Sequence, residues 1–224
     1  MSVLRYCGYC AAVAMVGIGG ATPMSGPNED NPKDLPPPLL AGRMSLEEAV
    51  ATRRSVRQFT QRSLTPKEIS QLCWAAQGIT DPGGRFRAAP SAGALYPIEL
   101  YIVTADGIDH YQPEHHRLKP HLTGDVRRPL QRAALDQEAI GDAPACVVLA
   151  AVVKRTARKY GDRAERYCFI EAGHVAQNIL LQATALHLAG VPMGAFEDDK
   201  VATVLKLPKD HRVLYLLAIG RPSG

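Results

Sequence analysis

The sequence has no apolar run long enough to cross a bilayer, because a membrane-spanning helix needs about 20 consecutive apolar residues. It also lacks internal repeats and any block of lysines. Its net charge of +4 is spread along the chain, which argues against a nucleic-acid-binding arm and is compatible with sites for anionic ligands. With 224 residues, the chain can form one domain whose core needs no disulfide bonds.

Cysteine is scarce and irregularly spaced. Cys7 and Cys10 form a C-x-x-C inside an apolar run with no strand before it, where a redox or metal role is not expected. Cys73, Cys146 and Cys168 each lie among apolar residues. We therefore predict three buried free thiols and no disulfide framework.

The histidines follow no standard zinc-binding spacing, and no cysteine assists them. We predict that His110, His115, His116 and His121 are surface residues of a hairpin, and that His174 packs or forms hydrogen bonds within a long helix. No metal site is expected. A metal-binding hairpin protein is the alternative that stoichiometric zinc would support.

The first residues have the layout of a secretory signal peptide. Arg5 precedes the apolar run Cys7–Ile18, and Gly19-Gly20-Ala21 offers a small-residue cleavage site. The alternative is an apolar tail from a mis-assigned start codon, and the odd cysteine count argues weakly against export. We expect residues 1–21 to be a signal peptide, which implies a periplasmic or secreted protein. Without such a signal the protein is cytoplasmic.

Residues 22–44 are rich in proline, with a run at Pro36-Pro37-Pro38, and we predict a stiff, extended linker or arm there. The folded domain is expected over residues 45–224. Ser45 and Glu48 form a capping box for a first helix, and Thr65 and Glu68 form a second one. Gly78 is placed to end the second helix.

The rest of the chain alternates between strand and helix patterns. Ala145–Val153 is an uninterrupted apolar run, typical of a strand in the middle of a sheet that is covered on both faces. The fold class predicted is α+β, with a central mixed β-sheet surrounded by helices and a long core helix. The other predicted elements are strands at Ile98–Thr104, Val191–Phe196 and Arg212–Gly220, a hairpin over 107–121, and helices at Asp125–Gln137, Ala164–Ala189 and Asp198–Leu205.

Arginines cluster where the first predicted helix ends. Arg53, Arg54 and Arg57 surround Ser55, and guanidinium groups match phosphate oxygens two at a time. The cluster is therefore a candidate phosphate site, and a solvated basic face is the alternative. Arg221, just after the last strand, adds one more arginine at a strand end.

Two segments near the predicted strands consist mainly of small residues. The stretch Pro90-Ser91-Ala92-Gly93 has little side chain, so its backbone can approach a flat or charged group. Gly194-Ala195 offers a similar approach after the long helix. A turn with nothing bound is the alternative for the first stretch.

Taken together and in this order, these segments resemble the nitroreductase-like FMN flavoprotein superfamily, and within it the SagB/ThcOx-type dehydrogenases. The likeness covers roughly residues 45–222. General nitroreductases usually carry Asn where Ala94 stands and Gln where Tyr96 stands, so this loop is specific to the SagB-like branch. The segments that carry the likeness are 53–57, 90–97, 159–161, 166–167, 171–174, 194–195 and 220–221.

The resemblance implies a nitroreductase-like fold and a homodimer that binds FMN non-covalently at its interface. It places one set of residues at the phosphate and ribityl chain, a second along the isoalloxazine ring from the partner's side, and a third near flavin N5. The first set is Arg53, Arg54, Ser55 and Arg57 with Gly220 and Arg221; the second is Pro90, Ser91, Ala92, Gly93 and Leu95; the third is Gly194 and Ala195.

The resemblance also implies that Lys159 and Tyr160 are catalytic and remove a proton as hydride leaves the substrate. A lysine acts as a base only where burial or neighbouring cations favour the neutral amine, and Arg155, Arg158 and Arg163 are candidates for that effect. A surface lysine beside an anchoring tyrosine is the alternative.

The function implied is an FMN-dependent oxidoreductase, a dehydrogenase passing hydride from an organic substrate, such as an azoline peptide, to flavin N5. Members of this kind oxidise thiazoline or oxazoline rings and usually work beside a cyclodehydratase. One alternative is an NAD(P)H-dependent nitro or quinone reductase, which needs no G-x-G-x-x-G segment because the nicotinamide stacks on the flavin. A non-catalytic flavin-binding protein is the other alternative.

Overall fold

The computed structural model describes residues 31–223, and within them seven strands form one sheet. The strand order across the sheet is β1-β4-β3-β2-β5-β7-β6. The strands are β1 (Lys33–Asp34), β2 (Ile98–Val103), β3 (Gly107–Gln112), β4 (Arg117–Thr123), β5 (Ala145–Ala151), β6 (Ala189–Met193) and β7 (Arg212–Gly220).

Seven α-helices cover this sheet in the described part of the chain. They are α1 (Leu46–Thr52), α2 (Pro66–Gln77), α3 (Arg127–Ala133), α4 (Glu138–Asp142), α5 (Val153–Tyr160), α6 (Ala164–Ala185) and α7 (Asp198–Val204). None of the helices in residues 31–223 has the length and apolar character that a membrane crossing requires.

Every pair of neighbouring strands in the sheet runs antiparallel, where we expected a mixed sheet. A parallel contact does occur outside the strands, as an isolated bridge between Ser55 and Gly190. The strand patterns in the sequence indicate which segments form strands, but the helical connections leave the direction of each returning strand open.

β5 lies at the centre of the sheet, between β2 and β7, and all seven of its residues are buried. This confirms the prediction of a strand covered on both faces. Alternate residues face two separate cores: Val147 and Leu149 pack with α2 and α6, whereas Cys146 and Val148 pack with α3, α4 and α7. The sheet therefore forms the middle layer of the molecule.

The predicted starts of the first two helices are confirmed. The Thr65 side chain accepts from the Glu68 N–H, and the Glu68 carboxylate accepts from the Thr65 N–H, which completes a capping box at α2. At α1 the Ser45 hydroxyl accepts from the Glu48 N–H, which is half of such a box. Gly78 follows the last residue of α2, as predicted.

The long helix α6 ends four residues earlier than predicted. His187 adopts a left-handed conformation with φ of 56°. Its N–H donates to the Thr184 carbonyl at 3.0 Å, and the Leu188 N–H donates to the Ala183 carbonyl at 2.8 Å. These two bonds form a Schellman motif, which usually carries glycine at the left-handed position. The surface helix predicted at Asp125–Gln137 is likewise shorter, because only 127–133 are α-helical.

The proline-rich arm contacts the domain through several backbone groups. β1 pairs with β4, and the Leu35 N–H donates to the His116 carbonyl at 3.1 Å. Farther along, the Gln71 side chain bonds both the N–H and the carbonyl of Leu39. The predicted signal peptide and the first part of the arm, residues 1–30, lie outside the described residues.

The three buried free cysteines are confirmed, but the predictions for the histidines need correction. His115 is exposed, whereas His110, His116 and His121 are half-buried and hydrogen-bonded. These rings turn from the hairpin toward the domain, so they are not surface residues. His174 is exposed on α6 in the single chain.

Candidate functional site

Backbone pairing brings the arginine cluster and the end of the last strand together. After α1 the chain runs beside the sheet, where the Val56 N–H donates to the Gly190 carbonyl at 3.2 Å. Four residues later the Thr60 N–H donates to the Arg221 carbonyl at 2.9 Å. Arg57 and Arg221 therefore lie on adjacent backbone segments at one end of the sheet.

Three guanidinium groups of this cluster have no carboxylate partner among residues 31–223, because no ion pair there involves Arg53, Arg54 or Arg57. Arg54 donates to the carbonyls of Ala51 and Arg53. All three lie at the surface or near it. The arrangement is an exposed group of positive charges without internal compensation.

Arg221 differs from the other arginines because its guanidinium pairs with the buried carboxylate of Glu68. Glu68 also caps α2, so its position is fixed by the helix start. Gly220 has a packing role: a Cβ there would lie 2.6 Å from Pro144 Cδ and 3.0 Å from Phe59 Cδ1. A larger residue at 220 would displace these neighbours.

The loop of small residues before β2 has an unusual backbone. Gly93, Ala94 and Tyr96 have φ angles of 64°, 52° and 46°, all in the left-handed region. For residues other than glycine this conformation costs about 1–2 kcal/mol each, so two of the three are strained. Strain of this kind is concentrated at functional sites and persists where surrounding contacts enforce it.

Tyr96 supplies most of those contacts. Its N–H donates to Ser91 Oγ at 2.9 Å, and its carbonyl accepts from Arg155 Nη1 at 2.9 Å. Its hydroxyl donates to the Arg85 carbonyl at 3.0 Å and accepts from the Arg87 N–H at 3.1 Å. The sequence marks Tyr96 as the one aromatic residue of the loop, but it does not predict this anchoring role.

Lys159 and Tyr160 lie beside this strained loop, in the last turn of α5. A Cβ placed on Gly93 would lie 2.9 Å from Tyr160 Oη and 3.0 Å from Lys159 Nζ. The Lys159 ammonium lies 5.5 Å from the centre of the Tyr160 ring, and Tyr167 packs edge-on against that ring at 5.0 Å. The structure therefore brings both predicted catalytic residues to the glycine of the loop.

Gly194 and Ala195 follow β6 and are exposed. The Ala195 carbonyl accepts from Gln137 Nε2 at 2.8 Å, which fixes the start of the segment toward α7. A Cβ on Gly194 would have its nearest neighbour, Tyr215, at an ordinary 3.8 Å. Nothing within the described chain therefore requires glycine at 194.

The arginine cluster and the strained loop lie at opposite ends of the sheet. The strand register places Ile98 beside Ala151, and Ala151 beside Arg212, at the end where the loop and α5 are found. Gly220 pairs with Ala189 at the other end. The six residues of β2 separate these ends by about 20 Å. The two predicted groups of cofactor-binding residues are therefore far apart within one chain.

A buried carboxyl group lies beneath the loop. Glu171 of α6 is 2% exposed, and its Oε1 has no hydrogen-bond partner among the described residues. Burial raises the pKa of this carboxyl to about 7, although the charge of Arg87 acts in the opposite direction. Sequence reasoning gave Glu171 no role, since a helical glutamate is ordinarily exposed.

A polar cavity of about 310 Å³ opens next to the same loop, where β2 and β3 diverge beyond Tyr101 and His110. Arg155 and Glu99 form an ion pair on its wall, and Glu99 also bonds His110. Burial opposes ionisation of Glu99, but the His110 hydrogen bond and the charge of Arg155 outweigh burial and lower the pKa of the carboxyl.

Residues 50–221 of this chain match a family model whose description is "Nitroreductase family". A Methanocaldococcus jannaschii protein named as a nitroreductase is 42% identical over 184 residues, which are 80% of this chain and 91% of that protein. The crystal structure of a Ralstonia eutropha protein, also named as a nitroreductase, aligns with a TM-score of 0.79 at 28% identity, covering 89% of this chain and 93% of that one.

A further relative is the microcin B17-processing protein McbC of Escherichia coli. It is 28% identical over 171 residues, which are 71% of this chain and 62% of McbC. The structure of the Escherichia coli microcin synthetase McbBCD complex, with truncated pro-MccB17 bound, contains a chain that aligns with a TM-score of 0.67 at 25% identity. That alignment covers 79% of this chain and 73% of the other.

Proposed function

Because the chain belongs to the nitroreductase family, a family of oxidoreductases that generally bind FMN, we propose that it is an FMN-dependent dehydrogenase of the SagB/ThcOx type. The contact of Gly93 with Lys159 and Tyr160 carries this proposal. It joins the segment expected along the flavin ring to the two residues expected to handle the substrate proton.

The residues present fit a flavin mononucleotide in charge and in shape. Arg53, Arg54 and Arg57 hold positive charge that is not neutralised within the described chain, which suits a phosphate. Arg221 would join them, with Glu68 setting the direction of its guanidinium. The loop around Gly93 has almost no side chain, so a planar ring can lie against its backbone.

Two chains are needed to complete this site. The arginines and the loop of one chain are separated by the length of β2, so the same flavin cannot contact both sets within that chain. The exposed apolar surface supports a partner: Leu40 is 82% exposed, and Phe169 and Ile170 of α6 are about half exposed. A second copy would bury such exposed apolar side chains.

When bound, FMN supplies the two-electron acceptor that an oxidation requires. The chain's own contribution is to hold the substrate and remove its proton. Lys159 Nζ and Tyr160 Oη are close enough to Gly93 to face the same bound group. Lys159 is exposed, so its side chain can exchange a proton with solvent. Arg155 points to Glu99 and the Tyr96 carbonyl, so its charge acts on the loop.

The proposed substrate is a thiazoline or oxazoline ring in a peptide, oxidised to the azole. The likeness to McbC supports this, because McbC processes microcin B17 and the McbBCD complex holds truncated pro-MccB17. A second candidate is reduction of nitro compounds or quinones with NAD(P)H. The higher identity to the Methanocaldococcus jannaschii protein named as a nitroreductase favours this second function.

The test is to purify the protein with FMN and to compare Lys159→Ala with Lys154→Ala, an exposed lysine on the same helix. An azoline peptide and, separately, NADPH with a nitroarene serve as substrates. We expect Lys159→Ala to retain flavin and lose azoline oxidation at least 100-fold, with Lys154→Ala unchanged.

Turnover of the nitroarene alone, insensitive to Lys159→Ala, would favour the reductase. Flavin binding without turnover of either substrate would indicate a non-catalytic flavoprotein. Failure to bind FMN at all would contradict the proposal.

A further inference from the structure

The polar cavity beside the loop contains a hydrogen-bond donor without a partner. Gln77, the last residue of α2, lines this cavity of about 310 Å³ and is 1% exposed. Its Oε1 accepts from Arg87 Nη1 at 3.3 Å, but its Nε2 has no hydrogen-bond partner within residues 31–223. A buried donor without a partner is destabilising, and an acceptor from a bound molecule would relieve that cost.

A second amide on the cavity wall has the same arrangement. Gln112, the last residue of β3, accepts at Oε1 from Arg117 Nε at 2.7 Å, and its Nε2 forms no hydrogen bond in the described part of the chain. In both glutamines an arginine occupies the oxygen, and the NH₂ group is left to bond elsewhere. The wall therefore offers donors from two different elements, α2 and β3.

The carboxylates on the wall, in contrast, are already bonded. Glu99 bonds His110 through Oε2 at 2.6 Å and Arg155 through Oε1. Glu114 bonds Arg87 at 2.9 Å. Because donors are in excess, the complementary molecule is one that presents acceptor oxygens, and an ionised carboxylate is an acceptor only.

Arg87 supplies the positive charge that would favour a carboxylate over a neutral carbonyl. Its side chain is 14% exposed, whereas that of its partner Glu114 is 60% exposed. An ion pair with a solvent-exposed partner contributes little, so a carboxylate in the cavity can replace Glu114 as the partner of Arg87. Arg155 differs, because its two terminal nitrogens already bond Glu99 and the Tyr96 carbonyl.

The size and position of the cavity suit a bound group beside the candidate site. Its volume lies at the lower end of the about 300–1,000 Å³ typical of ligand pockets, which is enough for a carboxylate with a few carbon atoms. The Arg87 guanidinium lies 4.6 Å from the centre of the Tyr96 ring, and Arg155 Nη1 donates to the Tyr96 carbonyl at 2.9 Å. A group bound in the cavity therefore lies next to the strained loop.

We propose that this cavity binds a carboxylate, which accepts hydrogen bonds from the Gln77 and Gln112 amides and pairs with the Arg87 guanidinium. The carboxylate belongs either to an acidic residue of a peptide or to a free small molecule. Its use as a substrate subsite rests on the proposed function, whereas the binding itself does not.

Calorimetric titration of the full chain without added flavin tests this site with two pairs of probes. The blocked peptide acetyl-Ala-Glu-Ala-amide should bind about 10-fold or more tightly than acetyl-Ala-Gln-Ala-amide, which has the same shape without the charge. Propionate, matched with propionamide, separates the two sources. A site for free carboxylates binds propionate as tightly as the glutamate peptide, whereas a peptide subsite binds the peptide about 10-fold or more tightly than propionate.

Two changes of a single charge should act in opposite directions. Gln112→Glu keeps the acceptor for Arg117 and replaces the free amide nitrogen by a charged oxygen, so affinity for the glutamate peptide should fall about 10-fold or more. Glu114→Gln removes the competitor for Arg87, so affinity for the same peptide should rise about 3-fold.

Gln131→Glu is the matched control and should leave the affinity unchanged. Gln131 also accepts from an arginine, Arg128, at 2.7 Å, but it lies on α3 and does not line the cavity. Gln77→Leu removes the buried donor and should abolish the preference for glutamate over glutamine. If that variant fails to fold, the changes at Gln112 and Glu114, neither of which is buried, still test the site.

A wild-type protein without preference for a carboxylate over the matched amide would overturn the proposal. So would equal effects of Gln112→Glu and Gln131→Glu, or a loss of affinity in Glu114→Gln. A protein that shows the expected preference but never binds FMN would contradict the proposed function and leave this carboxylate site intact.

Discussion

The Tyr96 hydroxyl accepts a hydrogen bond from the Arg87 N–H at 3.1 Å, while the Arg87 guanidinium lies 4.6 Å from the centre of the Tyr96 ring. Two residues nine positions apart are thus joined through both backbone and side chain. This double contact holds a loop whose backbone is strained at Ala94 and at Tyr96. The strain is maintained by Tyr96, which is why its hydroxyl is expected to matter for stability.

Tyr96→Phe removes the bonds to the Arg85 carbonyl and the Arg87 N–H and keeps the ring. We expect a loss of about 1–2 kcal/mol in the free energy of unfolding, because two hydrogen bonds that hold the loop are removed. Urea denaturation measures it. Tyr215→Phe is the matched control, since its hydroxyl has no hydrogen bond among the described residues, and a loss equal to that of Tyr96→Phe would contradict the anchoring role.

Gly93→Ala tests the contact between the loop and the proposed catalytic residues Lys159 and Tyr160. The added Cβ would meet Tyr160 Oη and Lys159 Nζ at about 3 Å, and the φ of 64° adds about 1 kcal/mol of backbone strain. We expect a loss of turnover of at least 10-fold as both side chains are displaced.

Gly84→Ala separates the two effects. Gly84 has a φ of 68° and nothing within 4 Å of an added Cβ, so it carries the strain without the contact. It should lose about 1 kcal/mol of stability from the strain alone, no more than Gly93→Ala loses, and keep its turnover. Equal turnover in the two variants would show that the contact at Gly93 has no catalytic role.

The arginine cluster predicts a difference between two flavins. Arg57→Gln should weaken FMN binding about 10-fold and leave riboflavin binding unchanged, because riboflavin has no phosphate. Fluorescence titration measures both affinities. Arg62→Gln, an exposed arginine five residues away, serves as the control. Equal losses for FMN and riboflavin in Arg57→Gln would contradict a phosphate role.

The buried carboxyl predicts how stability depends on pH. The pKa of Glu171 is about 7 in the folded chain, against an ordinary value of 4.5. Between pH 4.5 and 7 the folded state therefore keeps the proton on this carboxyl, whereas the unfolded state releases it. Stability from this group is therefore full below pH 4.5 and falls as pH rises to 7, by roughly 3 kcal/mol in total.

The comparison of wild type with Glu171→Gln isolates this effect from other carboxyls. Glu99 acts in the opposite direction, since its lowered pKa gives stability that is lost as pH falls. The difference in unfolding free energy between the two proteins should change across pH 4.5–7 and stay constant above pH 8. A difference that is constant throughout would show that Glu171 ionises normally.

The elements that were predicted correctly from the sequence are those that neighbouring residues determine. The α2 capping box, the apolar β5 and the three buried cysteines follow from residue type and spacing. The early end of α6 could not be predicted, because histidine holds the left-handed position that glycine usually marks. The arginines and the loop could be identified from the sequence, but their separation to opposite ends depends on strand direction and register.

The interior of the candidate site was the least predictable part. Glu171 and Tyr96 lie in segments that carry the family likeness, but the sequence does not show the burial of Glu171 or the contacts of Tyr96 with Ser91 and Arg87. Patterns of residue type do not reveal which polar atoms remain unpartnered after folding. The structure adds this network to a site that the sequence outlined only by its surface residues.

Sedimentation velocity recorded at the flavin absorbance band near 450 nm most directly tests the two-chain site. The account predicts that all protein-bound yellow absorbance sediments with the dimer, at about one FMN per chain. Flavin that sediments with a monomer would contradict it, because the arginines and the loop would then be serving one flavin from within a single chain. A dimer that stays colourless with excess FMN would contradict it equally.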